Sequence, residues 1–322
     1  MNNNTGLDFK LIADNCCLYS NVDTSIIISK IDELKDTYNE KDLVAIYNYM
    51  LSNTQNPDLI MYLIHCVDVY RDSSSLEVLV DILLLKNGNY QDSITKEKFV
   101  NVRAMCAKAI ANQKNTDVVS SLLYCLNNKD EHYKVRLACA DALGRIGDRF
   151  AVAPLIDVVK DEDEKSVYLR ESAASALGLL GDARALDPLV SILETKQGIL
   201  DKFTFLKERA IEALIKMGFA DNERVYKALK NSLADESAQV RINAIEALMD
   251  SENPKAYDTI KKCLDEDKDE EVKKNALIAL YNMSDRSILD EVIKSDKYSD
   301  SLKMEAVAIL DEYESDDEGI EE

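Results

Sequence analysis

From Val102 onward, apolar residues fall on one side of a helix, and the pattern then begins again at Val135, Leu169, Leu206, Val240, Val272 and Leu302. Four residues after each start stands a mostly small residue: Cys106, Cys139, Ala173, Ala210, Ala244, Ala276 or Ala306. At the seventh comes Ala109, Ala142, Ala176, Ala213, Ala247, Ala279 or Ile309. These spacings predict an amphipathic first helix whose small side chains let a neighbouring helix approach closely. Gly147 with Asp148, and Gly181 with Asp182, predict a tight turn in which Gly ends that helix and Asp caps the next. Asn253 and Asp285 take the matching place in later repeats. Pro154 and Pro188 are expected several residues inside the second helices, which should bend there.

A recurring helical hairpin that buries its apolar side only against its neighbours predicts a stacked array rather than a closed globule. Looser versions precede Val102. Ile27, Ile31 and Leu34 lead into Leu43, Ile46 and Met50, and Leu59, Leu63 and Val67 lead into Leu76, Leu79 and Leu83. The expected organisation is an N-terminal extension (1–22), a repeat array (23–313, divergent over 23–98 and regular over 99–313) and an acidic tail (314–322). The array holds about eight hairpins and a last unpaired helix near Asp300 to Tyr313. KNGNYQDSITKEK after Leu85 and KQGILDKFTF after Thr195 lengthen two connections. In the second, Ile199, Leu200, Phe203 and Phe205 are more apolar than a surface loop requires, or else Phe203 and Phe205 begin the next helix and face inward.

Composition narrows the partners. The formal charge is −21, with eleven acids against two bases from Asp296 to Glu322, so no nucleic-acid partner is expected. Seven cysteines show no CxxC pair and no zinc-type spacing, and read as reduced core thiols. The N-terminus lacks a basic start and apolar run, and LIMYLI and ILLL fall short of the roughly 20 residues that span a bilayer, so a cytoplasmic location and no membrane partner are expected. His65 and His132 have no partner at metal-ligand spacing, and neither a nucleophile motif nor a phosphate-cradling glycine loop is present. No catalytic residue, metal site or cofactor is therefore assigned.

The wording VRLACADALGRIGDRFAVAPLIDVVKDEDE from Val135 and LRESAASALGLLGDARALDPLVSILE from Leu169 resembles the HEAT repeat, in the short form named after phycobilisome lyases. That resemblance implies an all-α fold, an α-α superhelix of the right-handed HEAT-like alpha solenoid kind. It does not select a function, because such repeats occur in scaffolds, bilin lyase subunits, iron-dependent hydroxylases and DNA glycosylase relatives. The hydroxylases bind iron through repeated His-Glu pairs, whereas here His65 precedes Cys66 and His132 precedes Tyr133. The glycosylases need a basic groove and aromatic residues, whereas this chain has no Trp.

A column of cations, Arg103, Arg136, Arg170, Lys207, Arg241, Lys273 and Lys303, follows the repeat starts. It reads either as a grip for an anion or, more economically, as a structural network with inter-helix acids such as Asp148 and Asp182. The second helices of HEAT-like arrays line the concave side. Mapping Pro154 onto the other repeats selects Ser120, Tyr124, Asp157, Asp187, Ser191, Asp258, Lys262, Asp290 and Lys294 as partner-binding positions, or as an ordinary solvated face. The reading that follows is a non-enzymatic interaction scaffold or adaptor that holds another protein, a basic segment, on the concave face. A bilin (tetrapyrrole) lyase or chaperone-like subunit is the alternative that the resemblance implies.

Overall fold

Short polar side chains decide where the second helices begin. Asp72, Asn115, Asp148, Asp182, Asn222, Asn253 and Asp285 each accept a hydrogen bond from the backbone N–H two residues on, at 2.7–3.1 Å, and so cap the turn that follows. Just before several of these caps the chain enters the left-handed region. Gly147 and Gly181 do so with φ of 86° and 64°, and Arg71 and Lys114 take the same place with φ of 51°. The sequence loses Gly at some repeats, but the turn survives because the capping side chain is kept.

The computed structural model describes residues 6–86, 93–164, 166–195, 204–219, 222–251, 253–283 and 285–318. Among them the regular structure is entirely helical, and the chain divides into two units, Met1–Ala176 and Leu177–Glu322. The first unit contains α1 (Phe9–Asn15), α2 (Thr24–Glu33), α3 (Glu40–Asn53), α4 (Pro57–Tyr70), α5 (Leu76–Leu83), α6 (Ser93–Gln113), α7 (Val119–Asn127), α8 (Tyr133–Ile146) and α9 (Val152–Lys160). The division falls within α10 (Val167–Leu180). The second unit continues with α11 (Leu186–Glu194), α12 (Thr204–Lys216), α13 (Glu223–Ser232), α14 (Ala238–Met249), α15 (Ala256–Glu266), α16 (Glu270–Asn282), α17 (Ser287–Lys294) and α18 (Asp300–Glu318).

Among the described residues, helices α2 to α17 pair in sequence as eight hairpins, with α1 before them and α18 without a following partner. First helices pack on the next first helix, as α6 does on α8 and α14 on α16, and second helices pack on the following first helix, as α7 does on α8 and α15 on α16. All seven repeat starts are buried, as are all seven small residues four positions on. The closest approaches use glycine. A Cβ added at Gly144 in α8 would stand 2.7 Å from the Cα of Ala176 in α10, and one at Gly178 would stand 2.8 Å from the Cα of Ala213 in α12.

Several expectations change. Pro154 and Pro188 lie in the first turns of α9 and α11, where a backbone N–H has no intrahelical acceptor, so neither proline needs to bend its helix. Helix α6 begins at Ser93, well before Val102. The N-terminal extension contributes α1, capped by Asp8, which buries Phe9, Ile12 and Ala13 and stacks Phe9 on Tyr49 of α3 at 5.8 Å. Helix α18 runs to Glu318, so the acidic segment starts as helix. Phe205 does not face inward: it is 57% exposed, whereas Leu206, about 100° further round α12, is 1% exposed and fills the core position. Ile199, Leu200 and Phe203 lie outside the described residues.

Candidate functional site

The cation column is internal wiring. Arg103 of α6 donates to the Leu83 carbonyl at the end of α5 at 2.6 Å and to Glu131, beyond α7, at 2.9 and 2.5 Å. Arg136 of α8 repeats this on the Leu126 carbonyl at 2.9 Å and on Glu164 at 2.6 Å, and Arg170 reaches the Val159 carbonyl at 3.0 Å. In the second unit Lys207 pairs with Asp235 at 2.5 Å and Arg241 with Asp267 at 2.9 Å. Arg103 and Arg136 each tie a helix end of the preceding hairpin to the connection leaving their own, where their charge suits the negative C-terminal end of that helix. Arg241 instead reaches the Asp235 and Glu236 carbonyls in the connection beyond α13.

The acids used differ from those expected. Asp148 and Asp182 cap the turns into α9 and α11, and the ladder partners are the connection acids Glu131, Glu164, Asp235 and Asp267. The physical reason is direction, since the guanidinium extends toward the ends of second helices where free carbonyls gather, and the acids nearest those carbonyls lie in the inter-repeat connection. The Arg136–Glu164 pair shows how closed the network is, with side-chain exposures of 6% and 8%. At Lys273 the pattern lapses into a pair with Glu270 one turn back on α16, and Lys303 forms no ion pair with a described residue. An external anion has no access to these buried cations.

The nine positions chosen for partner binding all lie exposed on second helices. In the first unit these are Ser120 and Tyr124 on α7 and Asp157 on α9, with Tyr124 69% exposed. In the second unit they are Asp187 and Ser191 on α11, Asp258 and Lys262 on α15, and Asp290 and Lys294 on α17. Their charges are partly spent within the protein. Asp187 pairs with Arg224, Lys262 with Glu266 at 3.7 Å, and Lys294 with Asp290 at 3.2 Å. The Ser191 hydroxyl donates to the Asp187 carbonyl at 2.8 Å. Asp157 and Asp258 remain as carboxylates with no ion pair to a described residue. Asp157 lines a shallow cleft of about 320 Å³ beside Pro154 and the Lys129–Asp161 pair.

Sequence reasoning also missed two exposed aromatics outside the second helices. Phe150, in the turn that enters α9, is 82% exposed, and Tyr168 at the start of α10 is 64% exposed. The available signal at Phe150 was an aromatic where the matching repeats carry polar residues such as Arg184 and Arg224, whereas Tyr168 is matched by the aromatic Phe205 in the next repeat. Aromatic side chains of this kind are the usual anchors of a protein interface.

Candidate chemistry stays structural. His132 is the N-cap of α8, accepting from the Lys134 N–H at 3.1 Å through Nδ1, and His65 is exposed on α4. The seven thiols are free, and all except Cys17 are buried. Burial pushes the Cys263 thiol up to about 12. No group of three or more His, Cys, Asp or Glu able to hold a metal occurs among the described residues, and none of their helices is long and apolar enough to cross a membrane.

Three overlapping segments, residues 92–167, 129–204 and 197–281, match the family described as HEAT repeats. No curated protein sequence matches this chain significantly. Among solved structures it is similar to the complex of CpcE and CpcF of phycocyanin lyase from Nostoc sp. PCC7120, with 22% identity, a TM-score of 0.43, and 74% of this chain and 87% of that chain covered. It is also similar to human deoxyhypusine hydroxylase in complex with glycerol, with 17% identity, a TM-score of 0.35, and 86% and 96% of the two chains covered.

Proposed function

This chain belongs to the HEAT-repeat family, and from that premise we propose that it is a non-enzymatic interaction scaffold whose second helices hold another protein. The observation that supports this reading is a division of labour between columns. Arg103, Arg136, Lys207 and Arg241 of the recurring cations are consumed by buried internal pairs, whereas the second helices present exposed side chains that change from repeat to repeat. Variable exposed positions on a rigid repeat frame are where specificity is written. In the first unit Tyr124 supplies an aromatic anchor and Asp157 a free carboxylate, and in the second Asp258 supplies another. A basic segment of a partner suits these acids, with steering contributing more than raw affinity.

The test is affinity capture under cellular conditions, followed by titration of the purified recovered protein against wild type and the Tyr124→Ala, Asp157→Lys and Asp258→Lys variants. Loss of affinity by about tenfold or more in at least the Tyr124 or Asp157 variant is expected for a contact at the centre of an interface. Affinity unchanged in all three would remove the second-helix surface as the site. Asp187→Lys is less informative because its carboxylate already pairs with Arg224.

The wording of the repeats at Val135 and Leu169 favours one second reading, a bilin lyase or chaperone-like subunit. Co-expression with a bilin source and a candidate acceptor protein tests it. A covalent, visibly coloured adduct that depends on this chain would support that reading, and equal colour without the chain would end it.

A further inference from the structure

On the side opposite the second helices, α6 and α8 enclose a cleft of about 420 Å³ with a floor of Ala104, Leu137 and Ala138. Lys108, Lys134 and Arg145 line it, a local excess of cations in a chain of charge −21. Lys108 and Lys134 form no ion pair with a described residue, although the sequence offers sixty acids. Among the described residues Arg145 donates to the Asn112 side chain, at 2.7 Å, and forms no salt bridge, although the Asp141 carboxyl one turn back feels its charge. The one acid in the cleft, Asp141, accepts from the Ser172 hydroxyl. Desolvation by the apolar walls raises its pKa, against the lowering effects of Ser172 and Arg145.

The same chain carries a helix that fits this description in reverse. Among the described residues no second helix covers α18, and Met304 and Val307 on its outer side are 72% and 41% exposed. Asp300 and Asp311 lie on that side too, exposed and without an ion pair to a described residue. The spacing matches. Asp300, Met304, Val307 and Asp311 follow the steps of four, three and four that keep residues on one helix face, and so do Lys134, Ala138, Asp141 and Arg145. In both helices the outer charges are separated by a rise of about 16 Å.

We propose that α18 of a second copy of this chain docks in the cleft between α6 and α8, Met304 and Val307 meeting the alanine and leucine floor while Asp300 and Asp311 meet Lys134 and Arg145. The mode is a helix laid in a groove, with apolar anchors bracketed by charges. Two chains of charge −21 repel at a distance, but at about 0.15 M salt the screening length is about 8 Å, so charges at the contact dominate. Lys108 faces the middle of the incoming helix and adds to the attraction.

The experiment is sedimentation of the full-length chain at about 0.15 M salt, from about 1 μM to about 1 mM. Wild type should shift from monomer toward dimer with concentration. Met304→Glu, and separately the pair Lys108→Glu and Lys134→Glu, should weaken association by about tenfold or more. All three positions are exposed, so the circular dichroism and thermal unfolding of the variants should match wild type. Charge exchange keeps the test specific: a chain with Lys134→Glu and Arg145→Glu should regain association when mixed with a chain carrying Asp300→Lys and Asp311→Lys. A monomer throughout the range, or a dimer indifferent to both sets of substitutions, overturns the proposal.

Discussion

Replacing Gly144 by Ala sets two effects of opposite sign against each other. Gly144 lies in the last turn of α8, and an exchange of Gly for Ala within a helix ordinarily stabilises by about 0.5–1 kcal/mol. Here the new Cβ would sit 2.7 Å from both the Cα and the Cβ of Ala176. Carbon atoms in contact prefer about 3.5–4.0 Å, so α8 and α10 would have to part by about 1 Å locally. Overpacking of that kind costs about 1–3 kcal/mol, and the net expectation is a loss of about 1–2 kcal/mol. Urea titration followed by helical circular dichroism measures it, read from the transition that includes the first unit. A further variant separates steric from general causes: Ala176→Gly in the Gly144→Ala background should restore only part of the loss, because the Ala176 Cα is as close as its Cβ. Gly178→Ala should lose stability in the same direction against Ala213. If Gly144→Ala were as stable as wild type or more so, the close approach would not exist and the packing account of these repeats would be wrong.

Three further outcomes follow from the buried pairs, the closing network of the second unit and the thiols. Glu164→Ala leaves the Arg136 guanidinium in a site where both side chains are more than nine-tenths covered, so a loss of about 3 kcal/mol is expected, while Arg136→Met with Glu164→Leu should lose less; an equally unstable double variant would contradict this. Around Asp265, partial burial would raise the pKa, but hydrogen bonds from Tyr298, Lys297 and Lys261 outweigh it and hold it at about 2. A depressed carboxyl pKa stabilises fully above the unfolded value and loses that contribution as pH falls from about 4 to about 2, by about 1 kcal/mol after solvent screening. Asp265→Asn should therefore flatten the acid limb of a stability–pH curve, and an unchanged limb would exclude the network as its cause. In a native thiol titration Cys17 should react first, and the six buried thiols only on unfolding; rapid native labelling of Cys106 or Cys139 would show that the core opens.

The seven repeat registers were legible because a buried helix face imposes its own spacing: each start and each small residue four positions on lies in the core. The Gly-Asp turn was legible for the same local reason. The ladder was half legible. A cation just after each start could be seen, but its partner stands 26–28 residues downstream in a connection, among sixty acids with no local spacing to single it out. Helix α1 was missed because seven residues show too little periodicity, although Asp8 followed by Phe9, Ile12 and Ala13 is a short version of a capped apolar face. Phe205 was given a possible inward role because one position of helical phase separates it from Leu206, and apolarity alone does not choose between them. Exposure of the nine second-helix positions followed from the phase of Pro154, but their pairing did not, since Asp187 is matched by Arg224 from the next hairpin.

What the repeats share and what they vary point to the same division. The shared columns, from the start residue and its following cation to the small residues and the capping Asx, are used inside the stack, and a substitution there acts through stability. The outer faces of first helices are free of that duty and diverge sharply. Between α6 and α8 the cleft carries Lys108, Lys134 and Arg145, whereas between α12 and α14 a cleft of about 310 Å³ carries Glu212, Glu246 and Asp250 with Lys216. Desolvation raises the Glu246 pKa and Asp250 raises it further. Burial fixes the shared columns but not the charge of these outer grooves, so equivalent grooves carry opposite charge without altering the stack. Changes that interchange the outer residues of these two grooves should therefore leave unfolding nearly unaltered and change only what the chain associates with.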